Sequence, residues 1–390
     1  MRILVINYEY PPIGGGGGFV TRDILEEMAK RGHTVTIVTS HFGELPKREV
    51  KNDVHIIRVP VFFRKEIEVA NMASMLFYPL ISSLEVLTKR LNCKYDIINT
   101  HFALPSGPAG YFISKVAGVP NVLSIHGGDI YDPSKTTSPH KAPVFRQTVR
   151  AMLKTADRIV AQSSDTKNNA YRFYKINRPI DVIPLGIKKP EYIRKARADF
   201  GLNSKDIVFC TIGRLVKRKN LGDALAVLAG VPPDIPVKLL IIGDGPERAH
   251  LEQLTHRLSL SERVRFLGNT SDELKFQALD VADCYLSTAL HEGFGLVFLE
   301  AMECGLPIIS YDRGGHNDFL TSGKTGFLIE LGNKEAFSRR VNDIIEDKEL
   351  RRRISSHNRQ FIKNFYIDKC ADKYLALFEE VLRNRYCTPP

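Results

Sequence analysis

The sequence contains no tryptophan, and its cysteines are few and scattered. No two cysteines form a CxxC pair, and none lies with histidine at the spacing of a zinc site: they are Cys93, Cys210, Cys284, Cys304, Cys370 and Cys387. This pattern argues against a disulfide framework and is typical of reduced thiols. We therefore expect a cytoplasmic protein with no metal site.

The sequence also lacks an apolar run that could span a membrane. The longest candidate, residues 72–91, contains Glu85 and Lys89 and is interrupted by Pro79. A membrane-spanning helix needs about 20 mostly apolar residues. The first apolar run, residues 3–7, is too short for a secretory signal. Any membrane contact is therefore predicted to be peripheral, on the inner face.

Charge is distributed unevenly along the chain. Residues 1–190 carry 26 Lys and Arg against 16 Asp and Glu, a net charge of +10, whereas the remaining residues carry 29 against 28. Such asymmetry suggests an anionic partner for the first half, for example an anionic membrane surface. No nucleic-acid partner is expected, because no recognised nucleic-acid motif is present. A solvated basic face is the alternative interpretation.

The length of 390 residues favours two domains, since a single core rarely grows so large. Short apolar runs alternate with amphipathic helical patterns, and this alternation restarts at residues 207–212. We predict an α/β fold of two Rossmann-like, doubly wound parallel-sheet domains that face each other across a cleft. The first domain comprises residues 1–187 and a returning helix at 368–390, and the second comprises residues 188–367.

The predicted strands share short, β-branched apolar runs. They are residues 3–7, 34–39, 55–59, 97–100, 122–125, 158–161, 181–183, 207–212, 237–242, 264–267, 284–286 and 307–310. The clearest helical patterns are residues 21–30, 144–156, 221–228 and 367–383. In such sheets ligands bind at the carboxyl ends of the strands. Candidate functional residues are therefore sought just after each strand.

Five glycines, Gly14–Gly18, follow the first strand and precede the first predicted helix. Glycine allows the backbone to approach an anion closely, and a helix N-terminus offers unpaired N–H groups. The run matches neither the dinucleotide fingerprint nor a Walker loop. A flexible turn is the alternative, but five glycines are entropically costly for a connector. We favour a loop that binds a ligand.

Four cations follow the strand at residues 207–212: Arg214, Lys217, Arg218 and Lys219. Such a cluster repels itself unless an anion neutralises it. Arginine offers two parallel hydrogen bonds to phosphate, and lysine offers a mobile point charge. A phosphate site is therefore predicted here, with a solvated basic loop as the alternative.

A third motif, residues 291–302, reads HEGFGLVFLEAM. Its glycines predict a turn, and a helix is expected to begin at Leu296, so that the N–H groups of Gly295 and Leu296 would offer another phosphate site. Glu292 and Glu300 would lie ~12 Å apart on an ideal helix, farther than the ~5–9.5 Å that glycoside hydrolysis needs. The spacing therefore disfavours a hydrolase.

His126 stands in the fourth motif, residues 124–129, which reads SIHGGD. It follows a predicted strand of the first domain, and the two glycines after it leave the backbone free to turn there. A histidine at a strand's carboxyl end can touch a substrate. By itself it is equally well explained as a structural histidine.

Together these motifs resemble the group 1 glycosyltransferases of GT-B fold, a retaining family typified by bacterial mannosyl- and N-acetylglucosaminyltransferases. The resemblance covers nearly the whole chain, through the segments RGHTVTIVTS, SIHGGD, GRLVKRKN, IIGDGPER and EGFGLVFLEAMECGLPII. The last segment is the most specific and matches the family's E-x7-E element. The resemblance implies transfer of a sugar from a nucleotide-sugar donor to an acceptor hydroxyl.

The resemblance also implies roles for individual residues. Glu292 would bind hydroxyls of the donor sugar, Glu300 the ribose, and Arg214 with Lys219 the diphosphate. His126 would lie beside the sugar and the attacking hydroxyl. The other implied donor-binding residues are Gly15, Gly16, Gly17, Gly243, Asn269, Phe294, Gly295 and Leu296.

These expectations describe a metal-independent enzyme without a cofactor, whose partners are a nucleotide sugar and a sugar or lipid-linked acceptor. The residues leave the base, the donor sugar and the acceptor open. A nucleotide-sugar epimerase of the same architecture and a non-catalytic nucleotide- or glycan-binding subunit are the alternatives. Release of nucleoside diphosphate only when an acceptor is present would separate transfer from epimerisation.

Overall fold

A computed structural model of the protein describes residues 1–64, 67, 72–89, 94–135 and 137–387. The chain forms two compact units, Met1–Ile187 with Tyr366–Pro390, and Lys188–Phe365. The sequence prediction places the boundaries between the two domains after residue 187 and before residue 368.

The first unit is built on an eight-stranded sheet of order β3-β4-β2-β1-β5-β6-β7-β8. Its strands are β1 (Arg2–Ile6), β2 (Thr34–Ser40), β3 (Arg48–Lys51), β4 (Val54–Val59), β5 (Ile97–His101), β6 (Asn121–Ile125), β7 (Arg158–Ala161) and β8 (Asp181–Val182). All pairings are parallel except that of β3 with β4. Strand β3 is absent from the sequence prediction because three of its four residues are charged and it lies at the sheet edge.

Among the described residues, six helices complete the first unit. They are α1 (Gly16–Lys30), α2 (Met72–Lys89), α3 (Ser106–Ala117), α4 (Pro143–Thr155), α5 (Ser164–Tyr174) and, from the end of the chain, α12 (Ile367–Cys387). Helix α12 is held on this unit by Tyr374, whose hydroxyl donates to Ser124 Oγ at 3.2 Å, and by an ion pair between Arg158 and Glu380 at 2.6 Å. The returning helix thus packs against the strands that carry His126.

The second unit is built on a six-stranded parallel sheet of order β11-β10-β9-β12-β13-β14. Its strands are β9 (Ile207–Ile212), β10 (Val237–Ile242), β11 (Val264–Gly268), β12 (Cys284–Ser287), β13 (Ile308–Tyr311) and β14 (Gly326–Ile329). Its helices are α6 (Leu221–Ala229), α7 (Arg248–Arg257), α8 (Asp272–Asp280), α9 (Leu296–Glu303), α10 (Lys334–Glu346) and α11 (Lys348–Phe361). The prediction of two parallel-sheet α/β domains is confirmed.

The central strands of each sheet are buried, as expected of parallel strands covered by helices on both faces. In the second unit Phe209, Leu239, Ile241, Leu286 and Ile309 come from four neighbouring strands and are at most 1% exposed. These rigid cores fix the strand ends from which the polar side chains project.

The cysteines that the structure describes with their side chains, Cys210, Cys284, Cys304 and Cys370, are free and buried. Cys93 lies outside the described residues. Within the described ranges no helix is long and apolar enough to cross a membrane.

Candidate active site

The glycine run is partly helical, contrary to the prediction of a loop. Helix α1 begins at Gly16, so Gly16 and Gly17 form its first turn. A Cβ at Gly17 would lie 2.7 Å from the Phe102 ring, and one at Gly18 would lie 3.3 Å from the backbone of Glu9. Close packing therefore explains these two glycines. A Cβ at Gly15 would meet nothing within 4 Å.

A carboxylate of the protein occupies the place where the sequence predicts an external anion. Glu9 Oε2 accepts the N–H of Gly15 at 3.2 Å, just before α1. Burial raises the pKa of Glu9, against the opposing effects of the Gly15 hydrogen bond and of Arg64. The N–H of Gly15 is thus paired within the chain, which weakens the interpretation of the run as a bare phosphate loop. Sequence analysis missed Glu9, which lies in a short polar stretch before two prolines.

His126 follows β6 and is buried, with 8% of its surface exposed. Its backbone N–H donates to Asp129 Oδ1 at 2.8 Å, and its carbonyl accepts Gln162 Nε2 at 2.6 Å. The ring lies against Phe102 and His101, with ring centroids 4.4 and 5.1 Å away. Burial lowers the pKa of His126 to about 4, so the imidazole is neutral near pH 7.

Asp129 braces the loop that carries His126. Its second oxygen accepts the N–H of Ala103 at 2.6 Å, so one carboxylate joins the segments after β5 and β6. Burial raises the pKa of Asp129 to about 6, although these backbone hydrogen bonds act in the opposite direction. Two short loops are thereby held together beside the histidine.

In the second unit the basic cluster follows β9 as predicted, with a 3₁₀ turn at Lys217–Lys219. The loop is anchored by Leu290, whose N–H donates to the Arg218 carbonyl at 2.9 Å, and by Thr288, whose hydroxyl donates to the Asn220 carbonyl at 2.9 Å. Residues after β12 therefore fix the position of the cations.

Glu292 lies at the centre of this cluster. Its Oε1 is 2.5 Å from Lys219 Nζ, and its Oε2 is 3.3 Å from Arg218 Nη1. Burial raises the pKa of Glu292, but attraction to Lys219 and Arg218 outweighs it and lowers the pKa to about 2. The carboxylate is therefore charged throughout the physiological range.

This ion-pair network corrects two interpretations of the sequence. Arg218, which belongs to the predicted basic cluster but to which the resemblance gives no role, contacts both Glu292 and the His291 carbonyl. The cations Lys219 and Arg218 are also partly neutralised by the protein's own carboxylate, so their presence alone does not require an external anion. Arg214 differs from them, because its side chain is exposed and its guanidinium has no hydrogen-bond or ion-pair partner among the described residues.

Backbone contacts fix Glu292 as firmly as its side chain does. Its N–H donates to the Arg313 carbonyl at 3.1 Å, and its carbonyl accepts the N–H of Gly315 at 2.8 Å. Gly314 adopts φ +133°, and a Cβ there would lie 1.9 Å from the Glu292 carbonyl oxygen. Only glycine allows this approach.

Glu300 lies on α9 and pairs with Lys275 of α8, with Nζ and Oε1 2.7 Å apart. Lys275 also reaches Asp272 at 2.8 Å. Sequence analysis missed Lys275, because a helical lysine 25 positions before its partner carries no motif. A second carboxylate–ammonium pair thus lies on the helix that follows the Glu292 turn.

The turn before α9 agrees with the prediction at the backbone level. The helix begins at Leu296, and Gly295 precedes it with φ +91°. As the first helical residue, Leu296 has an N–H without a partner in the helix. Phe294, predicted as donor-binding, is buried against Phe319 with ring centroids 5.1 Å apart, so its side chain belongs to the core.

The remaining predicted residues lie at strand ends. Gly243 follows β10 with φ +123°, and a Cβ there would lie 2.1 Å from the Gly213 carbonyl oxygen. Gly243 thus allows the basic loop to pack against β10. Asn269 is exposed directly after β11. Among the residues that the structure describes, no group of three or more His, Cys, Asp or Glu side chains could hold a metal ion.

Comparison with known proteins agrees with this architecture. Residues 193–361 match the family profile "Glycosyl transferases group 1", and residues 14–189 match "Glycosyltransferase Family 4". The fold is that of the GT-B glycosyltransferases, and the chain belongs to the group 1 glycosyltransferases.

Similar proteins match along nearly their whole length. N-acetyl-alpha-D-glucosaminyl L-malate synthase of Bacillus anthracis is 28% identical, with 96% of each chain covered. The structure of sucrose-phosphate synthase from Thermosynechococcus elongatus superposes with a TM-score of 0.85 at 21% identity, covering 98% of this chain and 100% of that one. Anabaena HepE in complex with UDP-glucose gives a TM-score of 0.78 at 21% identity, covering 97% and 100%. At these identities the structural matches show a shared fold.

The Gly314 contact gives a first prediction. Gly314→Ala should lower the free energy of unfolding by about 1–3 kcal/mol more than Gly323→Ala does, because only the first methyl group would collide with backbone. Gly323 is the matched control, since it has φ +80° and a Cβ there would meet nothing within 4 Å. Urea unfolding of both variants measures the difference, and equal losses would contradict the packing argument.

Proposed function

We propose that the protein is a retaining glycosyltransferase that moves a sugar from a nucleoside-diphosphate sugar to an acceptor hydroxyl. The observation that carries this proposal is the ion pair of the half-buried Lys219 with the buried Glu292, together with the exposed guanidinium of Arg214. Arg214 and Lys219 follow β9, and Glu292 follows β12. Membership of the group 1 glycosyltransferases supports the retaining outcome.

Each charged group has a chemical task in this proposal. The guanidinium of Arg214 is exposed and has no partner among the described residues, so it can offer two parallel hydrogen bonds to a diphosphate. Lys219 can share its charge between Glu292 and the phosphate. Glu292 remains ionised and can accept hydrogen bonds from sugar hydroxyls. Glu300 and Lys275 are proposed to bind the ribose and the neighbouring phosphate.

The transfer step requires stabilisation of the leaving group. The bond from the sugar's anomeric carbon to the β-phosphate oxygen breaks, and a bond to the acceptor oxygen forms on the same face. The acceptor's proton passes to the departing diphosphate. Negative charge grows on the β-phosphate, where Arg214, Lys219 and the Leu296 N–H would stabilise it electrostatically. Such a cationic clamp can do the work of a divalent metal.

Names of similar proteins suggest candidate substrates. HepE is described in complex with UDP-glucose, so UDP-sugars are the first donors to test. The Bacillus anthracis relative is named for joining N-acetylglucosaminyl to L-malate, which makes small hydroxylated acceptors candidates beside sugars and lipid-linked acceptors. His126 is proposed to lie beside the sugar and the attacking hydroxyl.

A peripheral membrane contact is proposed for the first unit. Leu76, Leu80 and Leu84 recur every fourth residue along α2 and are 67%, 62% and 52% exposed. Phe62 packs edge-on against Phe77 of the same helix, with ring centroids 5.3 Å apart, and both rings are partly exposed. We call these five residues the α2 apolar face. The exposed basic side chains of Arg48 on β3 and Lys89 on α2 both pair with Glu85 of α2 and fit an anionic lipid surface.

Lys219→Ala should separate catalysis from binding. A cation beside the departing diphosphate stabilises it more strongly as negative charge grows there. The activation free energy should therefore rise by about 2–4 kcal/mol, which lowers kcat about 30- to 850-fold. The donor is first chosen from a nucleotide-sugar panel by thermal shift, where a ligand at 100 times its Kd adds ~2.7 kcal/mol.

Lys217→Ala is the matched control for this variant. Lys217 lies in the same 3₁₀ turn, its side chain is exposed, and its ammonium group has no partner among the described residues. Its replacement should leave kcat within about twofold, as expected of a surface change. If Lys219→Ala raised only the donor KM, the lysine would contribute uniform binding, and leaving-group stabilisation would come from elsewhere.

Turnover should survive removal of divalent metals, because the proposed clamp consists of Arg214 and Lys219. With the true donor and acceptor, the rate in excess EDTA should equal the rate without it. Loss of activity in EDTA that magnesium or manganese restores would rule out metal independence.

The protein should co-sediment with anionic vesicles at low salt and less so at high salt, since each basic residue near the surface contributes about 1 kcal/mol. Leu80→Glu should weaken this binding. Ile193→Glu, which changes a similarly exposed apolar residue of the second unit, should not. If the wild-type protein failed to sediment with the vesicles at low salt, the membrane proposal would be wrong, and the basic surface would be a solvated one.

A further inference from the structure

A chain of buried polar side chains runs through the first unit to His126. Asn99 and His101 lie on β5, and His126 follows the neighbouring strand β6. Asn99 Oδ1 is 2.7 Å from His101 Nε2, and His101 Nδ1 is 2.9 Å from His126 Nε2. Asn99 and His101 are fully buried. The protons in this chain can therefore be assigned by hydrogen-bond bookkeeping.

The assignment begins at Asn99. Its Nδ2 donates to the Val122 carbonyl at 3.1 Å and to Ser124 Oγ at 3.0 Å. A backbone carbonyl can only accept a hydrogen bond, so the NH2 group of the amide must point toward Val122. Asn99 Oδ1 then faces His101 and accepts. His101 Nε2 consequently carries a proton.

His101 has no second ring proton. Complete burial lowers the pKa of His101 well below its ordinary value, so the ring is neutral and carries one proton. That proton is on Nε2, which leaves Nδ1 as an acceptor. The Thr21 hydroxyl, 3.2 Å from Nδ1, has a shorter bond to the Gly17 carbonyl at 2.8 Å and donates there. The donor to His101 Nδ1 is therefore the Nε2–H of His126.

This assignment leaves His126 Nδ1 as a bare acceptor. The atom is buried and has no hydrogen-bond partner among the described residues. An unsatisfied buried polar atom typically costs about 1–3 kcal/mol, so native proteins seldom keep one without a use. The titratable groups around the ring are His101, Asp129, which binds the backbone N–H of His126, and Tyr374, which stacks on His101.

We propose that His101, oriented by Asn99, is a positioning residue that fixes His126 as the Nε2–H tautomer, so that Nδ1 accepts a hydrogen bond from a substrate hydroxyl. This inference rests on the proposed transferase function for its consequence in catalysis, but the tautomer itself is a property of the protein alone. A bare nitrogen can accept but not donate, so it selects a hydroxyl and disfavours an ether or a deoxy analogue at that point.

The tautomer can be measured directly by nitrogen NMR of protein labelled with ¹⁵N-histidine, with the His126 signals assigned by their absence in His126→Ala. We expect His126 to be neutral, protonated at Nε2 and bare at Nδ1 from pH 6 to 8, and His101 to show the same tautomer. A proton on Nδ1 of His126, or an imidazolium in this range, would overturn the proposal. This measurement needs no substrate, so it remains decisive even if the proposed function fails.

Two variants of His101 separate positioning from packing. The amide of asparagine reaches the place of Nδ1, and that of glutamine reaches the place of Nε2. His101→Asn thus keeps an acceptor for His126, whereas His101→Gln keeps only the contact with Asn99. His101→Gln should lower kcat about ten- to a hundredfold, the size found for partners that orient functional histidines. The donor KM should change little.

The kcat of His101→Asn should be about tenfold higher than that of His101→Gln. The spectrum of His101→Asn should retain the Nε2–H tautomer of His126. Equal losses in the two folded variants would assign His101 a packing role and overturn the proposal. Full activity in His101→Gln would overturn it as well. If neither variant folds, the spectrum of the wild-type protein decides.

Discussion

The second unit depends on one buried carboxylate, that of Glu292. Lys219 and Arg218 keep it ionised, while its backbone bonds to Arg313 and Gly315 tie it to the segment after β13. Removing one partner of a buried ion pair typically costs about 3–5 kcal/mol, because the remaining charge is left uncompensated. Each of these contacts therefore depends on the others. The pair thereby fixes the spacing between the basic loop after β9 and the turn before α9. A donor's phosphates and sugar hydroxyls would meet groups that are already in place.

Carboxylates of the protein also order loops in the first unit, through hydrogen bonds from backbone N–H groups. Glu9 accepts the N–H of Gly15, and Asp129 accepts the N–H groups of Ala103 and His126. In each case a carboxylate satisfies backbone donors at a strand end, where a parallel sheet leaves them open. The loops are thus ordered by internal anions. Binding of a substrate anion near Gly15 would have to compete with Glu9, whereas Arg214 can bind one without such competition.

Much of the fold follows from local sequence, because buried parallel strands are continuous apolar runs. Strands β7, β9 and β10 begin and end at the predicted residues. The charged edge strand β3 escaped prediction because it lacks that pattern, whereas the short β14, which reads GFLI, carries the pattern and was missed. The glycine run was assigned wholly to a loop because glycine is a poor helix former, yet tertiary packing against Phe102 and Glu9 extends α1 over Gly16–Gly18.

Local sequence motifs likewise identify only some of the candidate site residues. Motifs after strands contain Glu292, Lys219 and His126, whereas His101, which contacts His126, and Lys275, which pairs with Glu300, lie outside every motif. His101 directly follows the predicted strand at residues 97–100 and belongs to no motif, and Lys275 reads as an ordinary helical lysine.

Net charge was an equally incomplete guide to the location of the chemistry. The first 190 residues carry +10, yet the buried chain of Asn99, His101 and His126 is neutral, since burial disfavours the protonated imidazole. Basic side chains of the first unit such as Arg48 and Lys89 lie instead on the surface. The nearly neutral remainder places its cations Lys219, Arg218 and Lys275 around two carboxylates. The excess charge of the first half is therefore a property of its surface, and the charges suited to a diphosphate belong to the second unit.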